Sequence, residues 1–230
     1  MKIIGLLGGM SWESTAPYYR YINESIKERL GGYHSAKVIL YSVDFDEVER
    51  LQQSGNWEAA GSLLAQAARA IESAGADCLL LCTNTMHKVT PAIEAAVCIP
   101  LLHIVDATAQ QIKSTGLSKI GLLGTRFTME EAFYTDRLNA RHGLSVLIPD
   151  EQDREIIHRV IYEELCRGQV VNKSRTEYCR VMADLVRRGA EGIILGCTEI
   201  SILVGADDSS VPLFDTTRIH ACKAVEWALS

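Results

Sequence analysis

The chain has 230 residues, 47% of them hydrophobic and 23% charged, and a formal net charge of −6. Abundant apolar residues with mixed charges exclude a disordered chain. The acidic balance argues against a nucleic-acid partner, and no apolar run approaches the ~20 residues a membrane span needs.

The pattern then alternates strand and helix. Residues 2–7 form a short apolar run closed by Gly8-Gly9, too brief for a secretory signal. Residues 14–30 carry helical spacing through Tyr18, Tyr21, Ile22, Ile26 and Leu30, and 36–43 reads as a strand. Trp57–Ala74 is an amphipathic helix with Ala60, Leu63, Leu64, Ala67 and Ile71 on one face and Gly75 placed to cap it. Leu79–Cys82 is a wholly apolar strand. The alternation restarts with a strand at 119–123, a helix over 129–141 and a strand at 144–148. Helices over 153–166 and 174–188, a strand at 192–195 and a last helix over 217–229 complete it. Short buried strands between helices predict parallel sheets covered on both faces.

The two halves resemble each other. GLLG stands at 5–8 and again at 121–124. GADCLLLCTNT from Gly75 lies over GAEGIILGCTE from Gly189 at an offset of 114 residues, and IPLLH at 99–103 lies over VPLFD at 211–215 at an offset of 112. Three matches in one order argue for internal duplication. The expected fold class is therefore α/β: two pseudo-symmetric three-layer lobes, each with a mainly parallel sheet. Lobe one is residues 1–108 with 214–230, and lobe two is 109–213. Open parallel sheets bind ligands beyond the C-terminal ends of their strands, which places the site in a cleft between the lobes.

The chemistry-bearing segments end the buried strands. They are Cys82-Thr83-Asn84-Thr85 and Gly196-Cys197-Thr198-Glu199, and the duplication sets Thr83 against Cys197. Such turns offer backbone N–H groups to a carboxylate, although Asn84, Thr85 and Thr198 are also ordinary helix N-caps. Cys197 differs from Cys78, Cys98, Cys166, Cys179 and Cys222, which read as inert. It follows a strand end, where a helix N-terminus would lower its pKa. His87 and His103 read as structural. There is no Walker loop, no GxGxxG fingerprint, no nucleophile elbow and no CxxC or HExxH metal spacing. Seven cysteines, an odd number, fit reduced thiols and a cytoplasmic home.

With GGMSWEST at 8–15 and Gly124-Thr125-x-x-Thr128, these segments resemble the aspartate/glutamate racemase family over nearly the whole chain. That resemblance implies a cofactor-independent enzyme with no metal, whose two cysteines work on opposite faces of a substrate α-carbon. It implies Cys197 as the lobe-two acid/base, acting on the L-enantiomer. It implies Asn84, Thr85, Thr125, Thr128 and Thr198 as holders of the amino-acid carboxylate and amine, with Met10 lining the site. Glu199 joins that substrate-binding set. The expected partner is a free amino acid, and the expected assembly a homodimer.

The departure is at the other catalytic position, where the family reads Cys-Asn-Thr and this chain reads Thr83-Asn84-Thr85. One step along a strand turns a side chain to the opposite face, so Thr83 rather than Cys82 is expected to face substrate. An alkoxide in place of a thiolate costs roughly 10 kcal/mol, given pKa values of ~15.7 and ~8.5 at ~1.36 kcal/mol per unit. Thr83 is thus expected to donate a proton after Cys197 has removed one. Aspartate or glutamate follows from the resemblance. The segment Val43-Asp44-Phe45-Asp46 with Gln52 reads as a solvated loop or a side-chain reader. Asp44 or Asp46 in the site would favour neutral amino acids such as homoserine or methionine, and Gln52 would accept either class. Arg126, Arg167 and Lys173 are surface charges or partners for a distal carboxylate. Hydantoin racemase, maleate isomerase and arylmalonate decarboxylase use a related scaffold, and a non-catalytic amino-acid-binding module is the alternative of another class.

Overall fold

The computed structural model describes residues 1–230. The chain divides into two units, residues 1–104 with 220–230, and residues 105–219. No helix is long and apolar enough to cross a membrane.

The first unit is built from β1 (Ile4–Gly8), α1 (Trp12–Leu30), β2 (Val38–Ser42), α2 (Phe45–Gln53), α3 (Trp57–Ser73), β3 (Cys78–Leu81), a 3₁₀ turn (Thr85–Val89) and α4 (Thr90–Glu94). Its sheet is parallel, in the order β2-β1-β3, and Leu101 extends it by a bridge to Leu79. The period of two sends successive side chains to opposite faces. Leu7, Leu79 and Leu81 therefore pack with Ala60, Leu64, Ala68 and Ile71 of α3. Ile4, Leu6, Cys78, Leu80 and Cys82 pack on the other side with Tyr18, Ile22 and Ile26 of α1. The sheet is thus the middle of three layers. Burial of each such aliphatic side chain is worth about 1.5–3 kcal/mol. The caps follow from sequence: Ser11 accepts from Ser14 N–H at 3.4 Å and Asn56 from Ala59 N–H at 3.1 Å.

The second unit runs through α5 (Ile104–Ser114), β4 (Lys119–Gly124), α6 (Arg126–Glu130), α7 (Ala132–Asp136), β5 (Ser145–Leu147), α8 (Glu151–Glu163), α9 (Asn172–Arg187), β6 (Gly192–Gly196), α10 (Ile200–Leu203), β7 (Leu213–Asp215) and the first turn of α11 (Thr216–Leu229). Its sheet is also parallel, in the order β5-β4-β6-β7. From His220 onward α11 belongs to the first unit, where Ala221, Ala224, Val225 and Ala228 pack on the α1 side of the sheet. The family fold expected from sequence, α/β with two parallel sheets, is the one observed.

The duplication is written in equivalent bonds. Leu79 N–H donates to Pro100 C=O at 2.9 Å, and Ile193 N–H to Pro212 C=O at 2.9 Å. Asp77 N–H donates to Ile3 C=O and Glu191 N–H to Lys119 C=O, both at 2.8 Å. Gly5 pairs with Leu79 as Gly121 pairs with Ile193. The helix before each third strand ends at a left-handed glycine, Gly75 at φ +96° and Gly189 at φ +98°, a conformation that strains any side chain.

Two expectations need correction. Only Val43 and Asp44 of residues 43–46 are loop: Asp44 caps α2, accepting from Asp46 N–H at 3.2 Å, and Phe45 and Asp46 open that helix. The helix expected over 129–141 is three pieces, because Glu131 is extended (φ −93°, ψ 144°), and 137–141 is a π-helical turn.

Candidate active site

In the first unit, β1 and β3 are neighbours, with Leu7 opposite Leu81, so the turns that follow them leave the same edge of the sheet. Gly9, at φ +92°, lets the first turn pass the backbone of Val43: a β-carbon there would lie 2.3 Å from the Val43 carbonyl oxygen. Gly9 N–H donates to Thr15 Oγ1 at 2.9 Å, and Met10 is buried. In the second turn Cys82 belongs to the apolar cluster beneath α1, and burial pushes its thiol far above the ordinary range. Thr83 makes its hydrogen bonds through its backbone: its N–H donates to Leu81 C=O at 2.9 Å, and its C=O accepts from His87 Nδ1 at 2.7 Å. Asn84 and Thr85 are buried beside it. Asn84 precedes the 3₁₀ turn without a side-chain capping bond, so the simple N-cap reading fails there. Gln52, at the end of α2, is buried and donates to Met86 Sδ at 2.9 Å.

In the second unit, β4 and β6 are neighbours in the equivalent way, with Gly124 opposite Gly196. Gly196 has no room for a side chain; a β-carbon would meet Leu123 C=O at 2.8 Å. Thr125 caps α6, accepting from Thr128 N–H at 3.3 Å, and its Oγ1 lies 3.2 Å from Thr128 Oγ1. Past β6, Cys197 donates its thiol proton to Glu199 Oε2 at 3.0 Å, and Thr198 Oγ1 donates to the same oxygen at 2.7 Å. Cys166 donates to the other oxygen, Oε1, at 3.7 Å. One buried carboxylate thus collects two thiols and a hydroxyl. Burial, then the negative charge of Glu199 and the neighbouring Cys166, push the Cys197 thiol well above its ordinary value. The buried Tyr178 hydroxyl, shifted upward chiefly by burial, donates to Ile157 C=O at 3.1 Å.

The upward shift reverses the lowered pKa expected for Cys197. Burial disfavours the thiolate, Glu199 adds a full negative charge, and only the single turn of α10 follows, too short to exert much dipole. Cys166, read from sequence as inert, also needs correcting, since it contacts that carboxylate. Its position at the end of a helical segment gave no periodic signal for this contact. Asp44 and Asp46 are exposed, Asp46 pairing with Arg50 at 2.9 Å. Arg126, Arg167 and Lys173 are exposed as well.

The family model described as Asp/Glu/Hydantoin racemase matches residues 7–224. A crystal structure of a putative Asp/Glu racemase from Yersinia pestis is 59% identical, with a TM-score of 0.93 and full coverage of both chains. An aspartate racemase homologue from Pyrococcus horikoshii OT3 is 36% identical, with a TM-score of 0.86 over the whole of both chains. A broad-specificity amino-acid racemase of Bacillus subtilis is 22% identical over 99% of each chain.

Proposed function

The chain belongs to the Asp/Glu/hydantoin racemase family, and from that premise we propose that it racemises free amino acids by direct proton transfer, with Cys197 and Thr83 acting on opposite faces of the α-carbon. The observation that carries this reading is the Cys197–Glu199 hydrogen bond of 3.0 Å in the strand-end turn that the duplication pairs with Thr83. In the resting state Cys197 is a thiol whose proton points to Glu199 Oε2. The proton moves from Sγ to Oε2 as substrate binds, because the α-ammonium group brings a positive charge that favours the thiolate. The thiolate then removes the α-proton of the L-amino acid and becomes a thiol again, leaving a carbanion conjugated with the carboxylate. Thr83 Oγ1–H gives its proton to the opposite face, yielding the D-amino acid; the alkoxide takes a proton from water, and Glu199 releases its proton to the hydroxide so formed, which restores the resting state. Positioned proton transfer of this kind contributes about 10²–10⁴-fold per group.

Asn84, Thr85, Thr125, Thr128 and Thr198 hold the amino-acid backbone in this reading, with Met10 lining the site and Gln52 and Glu199 near the side chain. Aspartate and glutamate are the first substrates to try. A second reading, neutral amino acids, is favoured by one observation. The buried polar residues include Gln52 and Glu199 and no lysine or arginine, so a distal carboxylate finds no buried cation to offset its desolvation. The Bacillus subtilis relative is itself a broad-specificity amino-acid racemase.

The test is a panel of L-amino acids, acidic and neutral, incubated with wild type and C197S and resolved by chiral chromatography. Formation of D-product that depends on Cys197 is expected. D-product made equally by C197S, or from no amino acid in the panel, contradicts the proposal. Activity restricted to aspartate and glutamate overturns the second reading.

A further inference from the structure

We infer that His87 is a positioning residue for Thr83, holding the hydroxyl on the inverting face in line for proton delivery; this rests on the racemase reading above. His87 is buried, on the 3₁₀ turn that follows Thr83. Both of its ring nitrogens are committed. Nδ1 lies 2.7 Å from the carbonyl oxygen of Thr83, which only accepts, so Nδ1 carries the proton. Nε2 receives the N–H of Ile104 at 3.2 Å, so it presents its lone pair. The two partners impose one neutral tautomer.

The consequence for Thr83 is geometric. Its N–H is fixed by Leu81 and its C=O by His87, so both of its backbone polar groups are pinned. Its side chain is β-branched and restricted about χ1, so fixing the backbone limits Oγ1 to few directions. A poor acid gains most from such placement, because a misplacement of about 1 Å costs on the order of 10²-fold.

His87 is itself braced. Its ring meets that of His103 at 4.4 Å between centroids and that of His220 at 6.1 Å, both edge-on. His220 Nε2 donates to Leu102 C=O at 2.6 Å, and its Nδ1 accepts from Tyr18 O–H at 2.9 Å. Two histidines thus grip residues 102–104 from bonds of opposite sense, and one of them passes that grip to Thr83.

Two variants separate the contacts of His87. H87N places an amide donor near the Nδ1 position and can still hold Thr83 C=O, whereas H87Q reaches the Nε2 position and can hold only Ile104. Both are compared with wild type in D₂O by the ratio of D-product formation to deuterium entry into unconverted L-substrate, after thermal melting establishes that each is folded. The ratio is expected to stay within about threefold of wild type in H87N and to fall about tenfold or more in H87Q. A merely structural role lowers exchange and inversion in the same proportion. Such a proportional loss, or a ratio preserved in H87Q as well as in H87N, overturns the inference. Exchange that persists in C197S overturns the underlying racemase reading instead.

Discussion

The two strand-end turns that the duplication pairs, after β3 and after β6, share a backbone plan and differ in chemistry. The turn after β6 is ionisable: Cys197 and Cys166 both lean on the Glu199 carboxylate. The turn after β3 is neutral. Thr83 has a hydroxyl, its carbonyl is held by His87, and the one nearby thiol, Cys82, is turned into the apolar layer. Duplication therefore preserved the scaffold while the two turns came to hold groups of very different acidity. In the proposed reaction one turn takes the proton and the other returns one.

The largest expected effect comes from removing the ionisable side. C197S should lower both α-proton exchange and D-product formation by about 10³-fold or more, since a serine hydroxyl cannot supply the thiolate. C82S should leave both within a few-fold. Equal losses in the two variants, measured by NMR and chiral chromatography, would show that the register of the turn has been misread.

E199Q should come next, lowering kcat by roughly 10²-fold because the acceptor of the Cys197 proton is gone. It should also change the pH profile. In wild type the Cys197 proton passes to Glu199, whereas in E199Q it must pass to solvent from a thiol that burial holds above its ordinary range, so kcat/KM of E199Q should rise with pH where that of wild type does not. A profile unchanged by E199Q would break the link between the two groups.

The smallest effect on turnover, and a distinct one on stability, is expected on the neutral side. His220 is buried and uncharged, its pKa lowered to about 4 from 6.5 by burial, against a smaller upward push from its bond to Leu102. Between those values the unfolded chain binds a proton that the folded chain refuses. Stability should therefore fall as pH drops from 6.5 toward 4, by about 3 kcal/mol in all. Urea midpoints at pH 7, 6, 5 and 4 should fall less steeply in H220Q than in wild type. Parallel curves would mean that this histidine does not carry the acid sensitivity.

Much of the scaffold was legible because duplication leaves its record in sequence. The offsets of 114 and 112 residues predict the pairing of Leu101 with Leu79 from that of Leu213 with Ile193. The apolar runs of β3 and β6 likewise announce buried parallel strands. Helix α2 was missed because its run of charges carries only Val48 and Gln52 as fully buried positions. The break at Glu131 depends on one extended residue, which periodicity does not register. The site was legible residue by residue but not in its electrostatics. Cys197 and Glu199 meet across an irregular turn, and Cys166 reaches the same carboxylate from 33 residues away. No spacing rule connects them, and their meeting adds to burial in reversing the expected shift of the thiol.

The central claim is that one thiol and one hydroxyl share the reaction, and deuterium tests it most directly. Wild type and T83C are incubated with an L-amino acid substrate in D₂O, and two initial rates are followed: deuterium entry into remaining L-substrate and appearance of D-product. Cys197 exchanges its proton with solvent and can return a deuteron to the face it came from, while Thr83, the weaker acid, inverts less often. In wild type, labelled L-substrate should therefore appear faster than D-product. In T83C, with a thiol on each side, racemisation should rise and the two rates should converge. Equal rates in wild type, or a T83C enzyme slower at both, would contradict the claim.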